Sequence, residues 1–124
     1  MSKLIYIALG SAIGGVARFL LSKAIDKCFL SSFPWGTFAV NVTGCLIIGL
    51  LYGLIDKGNM TSENLRLFLT VGFCGGFTTF STFAHENYLL FGGGNIMTVA
   101  IYASASFFFG ILMAYLGHAI VRFI

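Results

Sequence analysis

Charged side chains are scarce in this chain. They make up 9% of its 124 residues, whereas 58% of the residues are hydrophobic. A soluble domain carries about 25% charged residues, so this composition excludes an ordinary soluble domain and predicts an all-α membrane protein in a lipid bilayer. The formal net charge is only +3 and the basic residues are scattered, which also excludes a basic surface for a nucleic-acid partner.

Clustered cysteines and catalytic groups are also missing from the sequence. Cys28, Cys45 and Cys74 are far apart, with no Cys-x-x-Cys spacing, so we predict neither a disulfide nor a thiolate metal site. Because no nucleophile–base pair or cluster of metal ligands is apparent, we predict that the chain is not an enzyme. The apolar run after Lys3 has no Ala-x-Ala exit, and we interpret it as a retained span rather than a cleaved signal.

Four long apolar segments nearly fill the chain, which we interpret as a single integral membrane domain over residues 1–124. The predicted membrane spans are about residues 4–25, 36–55, 62–91 and 96–121. An α-helix rises 1.5 Å per residue and the hydrocarbon core is about 30 Å thick, so each segment is long enough to cross it. Residues 31–35, which include Pro34 and Trp35, are predicted to form an interfacial turn.

The third segment has a poor helix sequence at its centre. Residues 72–83 read Gly-Phe-Cys-Gly-Gly-Phe-Thr-Thr-Phe-Ser-Thr-Phe, and each glycine weakens a helix by about 1 kcal/mol relative to alanine. We therefore predict that this helix breaks near residues 75–79, at the membrane centre. Backbone freed at that depth must be buried in protein, in a cavity or around an ion. Since broken helices mark ion sites in transport proteins, we hypothesise an ion pathway.

Polar and aromatic side chains that could line this pathway occur in three of the four segments. The candidates are Asn41, Phe80, Ser81, Thr82, Phe83, Tyr102 and Ser106. An asparagine amide offers two donors, and the edge of an aromatic ring is positive, so it can stabilise an anion without trapping it. Each residue also has an ordinary alternative role. The amide could form an interhelical hydrogen bond, and the rings and the last helix could simply pack.

Arg18 and Glu86 are the charged residues that we consider for the site. Arg18 is either an anchor at the interface or a structural charge at the mouth of a water-filled vestibule. Glu86 follows the central motif near a helix end, beside His85. The alternative function, a small proton-coupled multidrug exporter, needs a membrane-embedded carboxylate, and the interiors of the first two segments contain none.

The remaining basic residues give only a weak orientation signal. With four spans, Lys3, Lys57, Arg66 and Arg122 share one side, and Lys23 and Lys27 lie on the other. Loop charge sets the orientation of a membrane protein, so this small bias permits insertion both ways. We hypothesise a dual-topology chain that forms an inverted, antiparallel homodimer. Backbone carbonyls freed by two such breaks could hold a monovalent cation.

At these residues the sequence resembles the Fluc (CrcB) family of bacterial fluoride channels. The resemblance rests on the motif of residues 72–83, on Gly14-Gly15 followed by Arg18, on Asn41 followed by Gly44, and on Glu86. It implies an antiparallel dimer with two fluoride pores and passive fluoride export across the bacterial inner membrane. Hydrogen fluoride enters neutral and ionises inside the cell, and the anion leaves through the channel.

The resemblance also implies roles for individual residues. Phe80 and Phe83 would contact fluoride, and Asn41 would be a pore donor. A structural sodium ion, Na+, would be held by the backbone carbonyls of Gly75 and Thr78 from both subunits. Tyr102 and Ser106 match the start of the family's polar track on the last helix, whereas Gly110 and Ala114 lack the hydroxyls that some members carry further along.

Overall fold

Every regular element is a helix in the computed structural model, which describes residues 1–29 and 32–124. The elements in chain order are α1 (Ser2–Cys28), α2 (Trp35–Asp56), α3 (Glu63–Leu67), a π-helical segment (Phe68–Cys74), α4 (Gly75–Phe77), α5 (Phe80–Gly92) and α6 (Ile96–Arg122). Within this part of the chain, four stretches are long and apolar enough to cross a membrane: Ser2–Cys28, Trp35–Asp56, Glu63–Gly92 and Ile96–Arg122. The predicted all-α chain with four candidate spans is confirmed. In the predicted turn at residues 31–35, Ser31 lies outside the described residues.

The third candidate span contains a short non-helical step. The helical backbone ends at Phe77, and Thr78 (φ −92°, ψ 158°) and Thr79 (φ −151°, ψ 118°) are extended before α5 begins at Phe80. We call Thr78 and Thr79 the interruption. Gly75 and Gly76 are helical, although the sequence analysis included them in the predicted break. Gly76 serves packing instead, because a Cβ there would lie 2.5 Å from the carbonyl oxygen of Ser11 on α1.

The helices form two pairs, and the two backbones within each pair lie close together. α2 packs along α6, and α1 packs along the π-helical segment and α4. A side chain on Gly14 would collide with the carbonyl of Phe73, and one on Gly49 would collide with the carbonyl of Ala114. Lipid tails are as apolar as the helices, so association in a bilayer depends on such close packing rather than on hydrophobic burial.

Polar contacts show which helix ends share one end of the bundle. Lys3 forms an ion pair with Glu63, which joins the start of α1 to the start of α3. The Lys57 Nζ donates to the carbonyl of Val121 at 3.2 Å, and this bond joins the ends of α2 and α6. At the opposite end, the Asp26 carboxylate of α1 accepts from the backbone N–H of Gly36 at 2.9 Å and satisfies a free amide at the start of α2.

Candidate functional site

Asn41 on α2 binds both backbone groups of Thr79. Its Oδ1 accepts from the Thr79 N–H at 2.8 Å, and its Nδ2 donates to the Thr79 carbonyl at 3.1 Å. These two bonds stabilise the extended backbone, because they replace partners that a continuous helix would supply. The interhelical hydrogen bond considered for Asn41 is therefore present. One of the two amide hydrogens on Nδ2 forms this bond, and the second has no partner among the described residues.

Thr79 caps the helix that follows the interruption. Its Oγ1 accepts from the Thr82 N–H at 3.1 Å and also lies 3.1 Å from the Thr82 hydroxyl and 3.4 Å from the Ser81 hydroxyl. A threonine at this position satisfies one of the free amides at a helix start. The N-terminus of α5, with its partial positive charge, thus carries the hydroxyls of Thr79, Ser81 and Thr82.

The interruption also frees backbone carbonyls. In a continuous helix the carbonyls of Gly75 and Thr78 would accept from the N–H groups of residues 79 and 82. Here those N–H groups donate to the Asn41 and Thr79 side chains. The carbonyl of Gly76 accepts from the Arg18 Nε at 3.1 Å. Arg18 therefore bonds to the backbone beside the interruption, and its role as an interface anchor or as a structural charge at a vestibule stays a prediction.

Phe80 and Phe83 lie on the first turn of α5 but have different surroundings. Their ring centroids are 5.7 Å apart at an interplanar angle of 42°. Phe83 is 9% exposed and packs against Tyr102, with the ring centroids 4.9 Å apart. Phe80 is 74% exposed. Phe83 therefore belongs to the interior of the chain, whereas the Phe80 ring projects from it.

An open groove of about 450 Å³ brings several of the candidate residues together. We call it the central groove, and it is lined by residues of α2, the π-helical segment, α4, the interruption, α5 and α6, among them Asn41, Gly75, Thr78, Phe80, Phe83 and Ser106. The buried Ser106 hydroxyl forms no hydrogen bond within the described part of the chain, and neither does the Asn87 Oδ1. A buried hydroxyl without a partner is unusual, so Ser106 offers a donor to a ligand in the groove.

Glu86 and Tyr102 form a polar network beside the central groove. The Glu86 Oε1 accepts from the Tyr102 hydroxyl and its Oε2 accepts from the Thr37 hydroxyl, both at 2.9 Å. Because Tyr102 lies on α6 and Thr37 on α2, this carboxylate connects three helices. Sequence reasoning included neither Thr37 nor Thr79 in the site. Thr37 shares a helical face with Asn41, four residues later, and that spacing was the available signal.

A family model described as CrcB-like protein, Camphor Resistance (CrcB), matches residues 5–118. The chain belongs to this CrcB family. The matched range includes every candidate residue of the site, from Arg18 to Ser106. This match confirms the resemblance to the Fluc (CrcB) family that residues 72–83 indicated.

Relatives of this CrcB chain cover nearly its full length. One from Flavobacterium psychrophilum is 41% identical over 98% of each chain, and one from Bacteroides fragilis is 45% identical over 94% of each. A third, from Thermus thermophilus, is 39% identical over 95% of this chain and 94% of its own. All three are named Fluoride-specific ion channel FluC.

Proposed function

We propose that this CrcB chain forms a fluoride-selective passive channel in the bacterial inner membrane, which lowers cytoplasmic fluoride by letting the anion leave. The observation that carries the proposal is the nearly full-length similarity to relatives named Fluoride-specific ion channel FluC. These names favour a channel over the multidrug exporter and over an enzyme. The central groove supports the same function, because it combines donors with aromatic rings.

The groove contains groups that could replace the water shell of a small, strongly hydrated anion. The Ser106 hydroxyl has no partner among residues 1–29 and 32–124, Asn41 has a second amide hydrogen, and Ser81 and Thr82 lie at the positive end of α5. The ring edges of Phe80 and Phe83 add weaker positive potential. No lysine or arginine is among the groove-lining residues within the described part of the chain. Fluoride would thus bind weakly enough to leave again, as conduction requires.

A second, inverted copy of the chain would complete the pathway. Phe80 projects from a single chain and the central groove is open to the outside, so the groove of one copy is not an enclosed pore. The interruption begins at Thr78, the first residue of the second half of the 30-residue stretch Glu63–Gly92. We infer that it lies near the bilayer centre, where two inverted copies would bring their interruptions together and form two pathways.

The carbonyls of Gly75 and Thr78 fit the structural sodium ion implied by the resemblance. Both lose their helical N–H partners at the interruption, and both residues line the central groove. Carbonyl oxygens are ligands of the type that hard monovalent cations take in selectivity filters. The bound ion would supply a fixed positive charge between the two copies and would not be transported.

Fluoride efflux from liposomes that contain only the purified protein tests the proposal. We expect rapid fluoride release and no chloride release above that of protein-free liposomes. Equal rates for the two anions would contradict selectivity, and the absence of any anion release would contradict the channel itself. Substrate-induced proton release without anion flux would instead support the exporter.

A further inference from the structure

Phe33, which lies between α1 and α2, packs against a residue of the polar network. Its ring centroid is 5.2 Å from that of Tyr102 on α6, at an interplanar angle of 72°. The Tyr102 ring in turn contacts Phe83 at 4.9 Å, and Phe83 contacts Phe80 at 5.7 Å. A continuous row of four aromatic rings therefore connects the segment between α1 and α2 to the first turn of α5.

Contacts on other sides also hold the Phe33 ring in place. Its centroid lies 4.5 Å from that of Trp35 and 5.6 Å from that of Phe38, both on α2. The Asp26 carboxylate accepts from the backbone N–H of Gly36 at 2.9 Å, which joins the end of α1 to the start of α2. Tilted and edge-to-face ring contacts stabilise an arrangement beyond the area that they bury. Phe33 is thus held against α6 although its own backbone is not helical.

Tyr102 is the residue through which Phe33 can affect the anion pathway. It is fully buried, its ring contacts Phe33 and Phe83, and its hydroxyl donates to the Glu86 Oε1 at 2.9 Å. Because the hydroxyl is rigidly attached to the ring, the rings that pack against Tyr102 also determine where its hydroxyl points. Phe83 lines the central groove, whereas Phe33 approaches Tyr102 from the segment before α2.

We propose that Phe33 is a positioning residue for the anion pathway, which acts by keeping the Tyr102 hydroxyl on Glu86. The inference rests on the proposed channel function. Thr37 donates to the other oxygen of the same carboxylate, so two hydroxyls compensate its negative charge beside the central groove. If the Tyr102 ring could turn away, Glu86 would keep only the Thr37 donor, and its less compensated charge would repel an anion more strongly.

A double-mutant cycle between Phe33 and the Tyr102 hydroxyl tests this role without conduction. The parent, Phe33→Ala, Tyr102→Phe and the variant with both changes are unfolded thermally in detergent. Tyr102→Phe removes only the hydroxyl, and in the parent it should lower the unfolding temperature by roughly 4 °C, the effect of about one hydrogen bond. In the Phe33→Ala background the hydroxyl is no longer held on Glu86, so the same change should lower it by less than half as much. Such non-additivity is the signature of coupled residues.

Fluoride efflux from liposomes is the second measurement on the same four proteins. Phe33→Ala and Tyr102→Phe should each lower efflux roughly fivefold, the factor that one hydrogen bond is worth. The variant with both changes should be no slower than the slower single variant. Phe33→Tyr retains the ring and should retain efflux.

Phe29→Ala is the matched control for loss of a ring from the same region. Phe29 packs against Trp35, with ring centroids 5.2 Å apart, and is 50% exposed at the end of α1. It forms no ring contact with Tyr102 in the described part of the chain. We expect its efflux to equal that of the parent, and we expect Tyr102→Phe to lower its unfolding temperature as much as in the parent.

Additive effects of Phe33→Ala and Tyr102→Phe on the unfolding temperature would overturn the proposal, because Phe33 would then stabilise the fold without acting on the hydroxyl. Full efflux from Phe33→Ala would also overturn it. If Phe33→Ala does not fold, Phe33→Leu, which keeps apolar volume but not the ring, takes its place in the cycle under the same criterion. Absence of fluoride release from the parent would contradict the channel, and the unfolding cycle would still show whether Phe33 positions Tyr102.

Discussion

Asn41 illustrates how one side chain can determine a backbone conformation. Residues 75–79 include two threonines and two glycines, which are compatible with several backbone conformations. None of these residues requires an extended backbone. The side-chain amide of Asn41 supplies one donor and one acceptor, and their spacing matches that of the carbonyl and N–H of a single extended residue. Both groups of Thr79 bind to it. The sequence around Asn41 indicated a costly polar group at membrane depth, but it did not indicate which backbone group would bind the Asn41 side chain. That partner depends on helix packing and could not be derived from local sequence.

Replacement of Asn41 by Leu should destabilise the protein and stop efflux. The change leaves the N–H and carbonyl of Thr79 without partners, at a cost of roughly 1–3 kcal/mol for each buried group. Thermal unfolding in detergent, together with the liposome assay, measures both effects. Asn87→Leu is the matched control, because it removes one bond to the Phe83 carbonyl and an Oδ1 that has no partner in the described part of the chain. An equal loss of stability in both variants would contradict the role of Asn41.

Phe80 and Phe83 should matter through the edges of their rings. Phe80→Ile with Phe83→Ile keeps apolar volume but removes both quadrupoles, each worth about 0.5–1.5 kcal/mol in aromatic contacts. Since 1.4 kcal/mol corresponds to tenfold, fluoride efflux should fall roughly tenfold or more. Phe108→Ile is the control, because Phe108 is 62% exposed and does not line the central groove. Undiminished efflux from the double variant would show that ring edges are not needed.

The third span shows where sequence patterns are informative and where they are not. Long apolar runs predicted four candidate spans, and four such helical stretches are present in the described part of the chain. Gly58 and Gly94, which take positive φ, lie in the loops between them. The low helix propensity of Gly75 and Gly76 was a weaker guide. Gly76 is helical, and its lack of a side chain allows α1 to pack closely against it. The π-helical segment was not foreseen, since no local residue pattern distinguishes it from an α-helix.

Gly117 and Gly110 offer a test of the close packing between α2 and α6. A Cβ on Gly117 would lie 2.5 Å from the Leu46 carbonyl and 2.8 Å from the Leu50 nitrogen, so Gly117→Ala forces the helices apart. Such overpacking costs about 1–3 kcal/mol, which exceeds the gain in helix propensity of about 1 kcal/mol. We expect a lower unfolding temperature in detergent.

Gly110→Ala is the matched variant on the same buried face of α6. Among the described residues, its Cβ would meet the Cys45 Sγ alone, at 3.4 Å, which is a tight contact with a side chain rather than with backbone. We expect its unfolding temperature to stay near that of the parent or to rise slightly. If both alanines are tolerated equally, backbone approach is not what holds α2 and α6 together.

As a whole, the molecule has a surface that only lipid or another chain can cover. Large apolar side chains such as Phe108 and Ile111 are exposed along α6, as expected for a membrane span. The central groove interrupts this apolar surface with polar groups, and lipid cannot satisfy them. The number of spans followed from composition, whereas the groove is formed by residues of α2, the π-helical segment, α4, the interruption, α5 and α6, and it depends on how these elements pack.

Charge distribution offers a test of the inverted dimer. Lys3, Lys57, Arg66 and Arg122 lie at one end of the bundle, and Lys23 and Lys27 at the other. Because loop charge orients membrane proteins, Lys23→Gln with Lys27→Gln should fix one orientation. The opposite bias comes from Lys3→Gln, Arg122→Gln, Cys28→Lys and Ser32→Lys. These changes lie at helix ends or in loops, outside the central groove.

Each oriented variant expressed alone lacks an inverted partner, so fluoride efflux from its cells should be largely lost. Co-expression of the two variants supplies both orientations and should restore efflux toward that of the parent. Compartment-specific reporters fused to the C-terminus verify the orientation of each variant before efflux is measured. If either variant is uniformly oriented and still conducts fully alone, parallel copies or a single chain must suffice, and the groove would have to be completed by something other than an inverted copy of itself.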